Sequence, residues 1–68
     1  MNTEKIFREA IQELEELILE YSIQKNKMAE KYGKDSEQVE IKEELIQGFI
    51  LRKRQTKYLA EKFGIKNI

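Results

Sequence analysis

The stretch KYGKDSEQ, Lys31 to Gln38, decides the fold. Gly33 is the residue type that ends helices in a backbone conformation other residues avoid. Lys31 and Lys34 lie where the negative end of a helix dipole favours cations. Asp35 or Ser36 can cap a new helix, Asp35 with Gln38 has capping-box spacing, and Glu37 lies in the favourable first turn. The stretch therefore reads as a helix stop followed at once by a helix start.

Upstream, Phe7, Ala10, Ile11, Leu14, Leu17, Ile18, Tyr21, Met28 and Tyr32 recur at i, i+3, i+4, i+7 spacing. They form an apolar stripe about 140° wide on one long helix, from about Thr3 to Tyr32. Downstream, Val39, Leu45, Ile46, Phe49, Leu59, Ala60 and Phe63 mark a second helix over about 37–63, closed by Gly64 with Ile65 as the returning apolar contact. A turn of 33–36 makes neighbouring helices antiparallel. The predicted fold is all-α, a single domain over 1–68 built as an antiparallel two-helix hairpin.

The charges carry the same reading. Arg52, Lys53, Arg54 and Lys57 form a basic cluster, and folding about Lys34 pairs position i with roughly 69 − i. That pairing brings the cluster opposite the acidic block Glu9, Glu13, Glu15, Glu16 and Glu20. It also brings Lys25, Lys27, Lys31 and Lys34 opposite Glu37, Glu40, Glu43 and Glu44. Exposed pairs contribute little each, about 0–1 kcal/mol, so their expected role is to specify register and orientation. Gly48 is expected opposite Tyr21, where a missing side chain would admit the ring. Arg52 and Thr56 interrupt the apolar stripe, either as a polar layer or with the arginine stem lying on Leu17.

Sixty-eight residues hold one small core at most, and a monomer of this size is marginally stable. There is no Cys, so disulfides are excluded; there is no His either, and no metal or cofactor is expected. Oligomerisation, or very regular helix packing, is the remaining source of stability. The stripe on the first helix is wider than one neighbour covers, so two hairpins are expected to form a four-helix bundle with coiled-coil-like packing. Its self-association core would be Phe7, Ile11, Leu14, Leu17, Ile18, Tyr21, Leu45, Phe49, Leu59 and Phe63.

Enzymatic chemistry is not expected. The usual general base and thiol nucleophile are missing, the hydroxyls lack an activating base, and the scattered glycines make no phosphate loop. Glu13-x-x-Glu16 and Glu40-x-x-Glu43 read as solvated acidic faces. Thirteen cations balance thirteen anions, whereas nucleic-acid domains carry a basic excess. No apolar run of about 20 residues or signal-peptide pattern occurs, which makes a cytoplasmic location the default expectation. The segment YLAEKFGIKN, Tyr58 to Asn67, resembles the opening of a helix-turn-helix, and is read here as a capped helix end. Leu51, Tyr58 and Ile65 recur at seven-residue spacing on the far face of the second helix, bordered by Arg54 and Lys62. Leu19 and Ile23 form an outward pair on the first. These seven are the candidates for contact with a larger protein.

Two resemblances add to this. The short dimerising hairpin resembles the Rop-like RNA-binding regulators of plasmids in shape and length, without a shared motif. It implies a nucleic-acid alternative using Arg52, Arg54, Lys57, Tyr58 and Lys62 in and beside the basic run 52–57. YGKDSEQVEIKEEL, Tyr32 to Leu45, resembles the turn and second helix of Spo0E-like aspartyl-phosphate phosphatases of spore formers, also small helical hairpins. That family carries a Ser-Gln-Glu-Leu-Asp signature. This chain has Lys42-Glu43-Glu44-Leu45-Ile46 there, so the resemblance implies a degenerate regulator of that type and no activity is carried across. The leading expectation is a small non-enzymatic, homodimeric interaction protein, a regulator or adaptor with a larger protein partner, no membrane contact and no small-molecule substrate.

Overall fold

A computed structural model describes residues 2–66. Met1, Asn67 and Ile68, and with them both ends of the 1–68 unit, lie outside the described residues. The described chain is two helices and no strand: α1, Thr3–Tyr32, and α2, Glu37–Lys62. Asn2 caps α1 by accepting a hydrogen bond from the Lys5 amide at 3.2 Å. Of the two capping residues expected for α2, Ser36 takes the position, its Oγ accepting from the Val39 amide at 3.3 Å.

The turn is built on an unusual glycine. Gly33 has φ 95° and ψ 153°, so its backbone is extended with positive φ and lies outside the left-handed helical region expected of it. Only glycine adopts this conformation freely. Its amide still bonds the Ala29 carbonyl at 2.9 Å, and its carbonyl accepts from the Ser36 amide at 3.2 Å, which closes the turn.

The far end of α2 is a Schellman motif. The Ile65 amide bonds the Ala60 carbonyl at 3.0 Å and the Gly64 amide the Glu61 carbonyl at 2.9 Å, with Gly64 at φ 80°. The returning Ile65 is buried, and Ala60 is fully enclosed. Ile65 thereby leaves the outward row with Leu51 and Tyr58: its chain has already turned back when the seven-residue spacing would bring it round.

The helices run antiparallel. The cross-seam pairs Lys25–Glu43, Glu15–Lys53, Tyr21–Phe49, Phe7–Phe63 and Gln24–Lys42 all join positions whose numbers add up to between 66 and 70. The hairpin is slender, 45 × 17 × 15 Å. Besides Ala60 and Ile65, the buried core is Ile11, Leu14 and Ile46. A core this thin leaves stability dependent on each of its members.

The inner line of α2 differs from its apolar stripe. The buried and half-buried positions are Val39, Lys42, Glu43, Ile46, Phe49, Ile50, Lys53, Thr56, Lys57 and Ala60, alternating three and four residues apart. Such spacing averages 3.5 residues, the period of a coiled-coil seam. Leu45, Leu59 and Phe63 are exposed. The seam thus admits lysines, whose stems can lie on apolar surface while the ammonium reaches outward. Thr56 is satisfied within its own helix, its Oγ1 donating to the Arg52 carbonyl at 2.8 Å. Arg52 itself is exposed, so the pair is not a buried polar layer.

Gly48 accommodates nothing. It is exposed, and a Cβ added there would meet no atom within 4 Å. Tyr21 turns instead to Phe49, edge-on at 5.1 Å between ring centroids. Gly48→Ala should therefore stabilise the hairpin by about 1 kcal/mol, the helix-propensity difference. A urea midpoint that stays put or falls would contradict this.

Candidate interaction surface

The seam opens onto two flanks of different chemistry. On one, Glu15 pairs with Lys53 at 3.2 Å and Lys25 with Glu43 at 2.7 Å. On the other, Phe7 meets Phe63 with centroids 5.6 Å apart, and Tyr21 meets Phe49. Lys42 closes the same flank toward the turn, its Nζ donating to Gln24 Oε1 at 2.8 Å and lying 4.7 Å from the Tyr21 ring centroid. We call these the ionic and the aromatic flank.

The assignment of sides follows from helix geometry at about 100° per residue. Measured from the seam, Ile41, Leu45, Arg52, Leu59 and Phe63 all lie on the aromatic side of α2, as do Ile6, Ala10, Leu17 and Met28 on α1. Ile6, Ile41, Leu45, Leu59 and Phe63 are all exposed, Phe63 the most at 67%. The aromatic flank is thus an apolar strip running the length of the hairpin, interrupted by Arg52. The remaining members of the expected self-association core divide differently. Ile11 and Leu14 are used up in the hairpin's own seam, while Phe7, Leu17, Ile18, Tyr21 and Phe49 are half-buried there.

The candidates for a larger partner are scattered. Leu51 and Tyr58 are exposed on the back of α2, with Lys62 Nζ 4.8 Å from the Tyr58 ring centroid. Arg54 is exposed on the ionic side, and Leu19 and Ile23 are exposed on α1. Ile65 is buried and belongs to the core.

The basic run is divided as well. Arg52 lies on the aromatic flank, Lys53 in the seam against Glu15, and Arg54 toward the ionic flank. Of the block-to-block pairing expected from sequence, Glu15–Lys53 and Lys25–Glu43 are the cross-seam ion pairs among the described residues. The other charges of the two blocks make no ion pair across the seam among the described residues, although Lys42 and Lys57 lie on the inner line of α2. Lys5–Glu9 and Glu4–Arg8 pair along α1 instead, and Arg8 also donates to the Lys66 carbonyl at 3.3 Å.

Among the described residues, Glu43 has a carboxyl group clearly displaced from its ordinary acidity. Hydrogen bonds from Lys25 and then Gln47, with the Lys25 charge behind them, hold its pKa below the usual carboxylate value. A depressed folded pKa gives stability that is present above the unfolded value of 4.5 and is lost as pH falls through the folded value. Glu43→Gln should therefore melt below the parent chain near neutral pH, with the gap narrowing as pH falls through and below 4.5. A gap independent of pH would remove the Lys25–Glu43 pair from the acid response.

Among the described residues no cluster of acidic side chains could hold a metal ion, and no helix is long and apolar enough to cross a membrane. At the positions of the phosphatase-type signature, Lys42 is engaged with Gln24 and Tyr21, and Ile46 is 5% exposed within the seam. A carboxylate at position 46 would be buried against apolar neighbours, where it is costly. No protein-family model, curated protein or solved structure matches the chain.

Proposed function

We propose that this chain is a small non-enzymatic interaction protein that works as a homodimer, a regulator or adaptor acting through protein–protein contacts. The observation that carries the reading is the aromatic flank. A soluble hairpin with Ile6, Leu45, Leu59 and Phe63 exposed along one side has an unfinished core. Covering that side with a second hairpin makes a four-helix bundle and supplies the burial a chain of this length lacks. Leu51 and Tyr58 then remain outward on the back of α2, free for a larger protein in a helix-face contact. The reading needs no cofactor or small-molecule substrate, and a cytoplasmic setting suits it.

Two measurements test it. Sedimentation equilibrium should find a dimer that survives Leu51→Ala and Tyr58→Ala and weakens with Phe63→Ala. Titration with duplex RNA and DNA at two salt concentrations should find no tight binding. Binding that falls steeply with salt would instead assign the chain to the nucleic-acid class, because phosphate contacts release counterions.

A further inference from the structure

We infer that the second copy seats on the aromatic flank about a twofold axis parallel to the helices, so that α2 of each chain lies on α1 of the other. This rests on the homodimer reading and adds its geometry. The size is suitable: a side about 45 by 17 Å offers on the order of 750 Å², close to the ~800 Å² per partner of a standard interface.

Two face-to-face arrangements bury the flank fully. In one the twofold axis runs along the hairpin; in the other it crosses the hairpin at right angles. Apolar side chains are satisfied in both. With the crossing axis, Leu59 meets the partner's Leu45 and Phe63 the partner's Ile41. With the parallel axis, Phe63 meets the partner's Ile6, and Leu59 the partner's small Ala10.

Charge separates the two. Arg52 is exposed on this flank and close to the middle of the hairpin, and it has no ion pair among the described residues. With the crossing axis, each Arg52 lies within about 5 Å of its own copy along the helix direction, at 1.5 Å per residue. Glu13 and Glu20 on α1 are likewise brought toward the partner's Glu20 and Glu13. Both are like-charge contacts that penalise the arrangement. With the parallel axis, level is preserved, and Arg52 sits over the partner's Leu17. Glu13 and Glu20 lie one helical repeat to either side, on the same outer edge as the guanidinium. Both are exposed, and neither is in an ion pair among the described residues. The cation that breaks the apolar strip thus enters between two unpaired carboxylates, twice per dimer.

The test uses a spin label at Lys34→Cys, in the turn of a chain with no other cysteine. In the parallel arrangement both turns lie at one end of the bundle, and the labels should be about 10–20 Å apart, one or two interhelix spacings. In the crossed arrangement they lie at opposite ends, near the 45 Å length of the hairpin. Arg52→Ala should weaken dimerisation about 5-fold in the parallel arrangement and tighten it in the crossed one. The triple change Arg52→Glu, Glu13→Arg, Glu20→Arg should restore the dimer that Arg52→Glu alone loses. A dimer with labels at the long distance overturns the inference and leaves the homodimer reading standing; a monomer at all concentrations overturns both.

Discussion

Replacing Ile46 with alanine should unfold much of the chain at room temperature. Ile46 lies in the middle of the α2 inner line and is 5% exposed. Removing a buried isoleucine to its Cβ costs about 2–5 kcal/mol, through lost transfer energy and the cavity left behind. A chain of this length has only about 3–10 kcal/mol in total. The other well-buried side chains, Ile11, Leu14, Ala60 and Ile65, lie at other levels of the seam or around its end, and none is placed to fill the gap. Helical circular dichroism followed in urea should show the midpoint moving close to zero denaturant. Ile46→Val should cost far less, about 0.5–1.5 kcal/mol. If Ile46→Ala lost under about 1 kcal/mol, the seam would not be the main source of stability.

The second large effect is expected at Gly33. Its positive φ with extended ψ is strained for any other residue, by about 1–3 kcal/mol. An added Cβ meets nothing within 4 Å, so the penalty at Gly33→Ala is one of backbone conformation and not of crowding. The strain has an escape. If α1 continues through position 33 into α2, the chain becomes one rod, and two rods laid antiparallel recreate every cross-seam pair between molecules. Glu15–Lys53 and Tyr21–Phe49 would then join different chains, which is domain swapping. The expected result is helicity kept or raised, while the folded state becomes strongly dependent on protein concentration. Sedimentation equilibrium with parallel circular dichroism reads both. A variant that melts at the same temperature at all concentrations, with unchanged mass, would show that the turn tolerates a side chain.

The two helices, their packing and the antiparallel register were legible because local signals agreed. Helix formers fill the chain, Gly33 and Ser36 punctuate it, and both charge blocks match only if the helices run antiparallel. The inner line of α2 was not legible from apolar residues alone. Lys42, Lys53 and Lys57 occupy seam positions through their stems, while Leu45, Leu59 and Phe63 turn outward. A reader counting apolar residues finds a stripe displaced from the true contact line toward the aromatic flank. Spacing would have served better: positions 39, 42, 46, 49, 53, 56 and 60 keep a strict three-four alternation whatever their polarity. Gly48 misled because proximity in register says nothing about which way a side chain points. Ile65 was read in two ways, and the capping geometry decides for the core.

The difference between the two sides of the seam also bears on how far association can go. The hairpin has salt bridges along one side of its seam and an apolar strip along the other. Once the apolar flanks of two copies are joined as proposed, the outside of the pair carries the salt bridges, with Leu19, Ile23, Leu51 and Tyr58 as its exposed apolar residues. A twofold pairing that uses the same flank on both copies closes on itself, so in the proposed dimer that flank is used up and cannot propagate a filament.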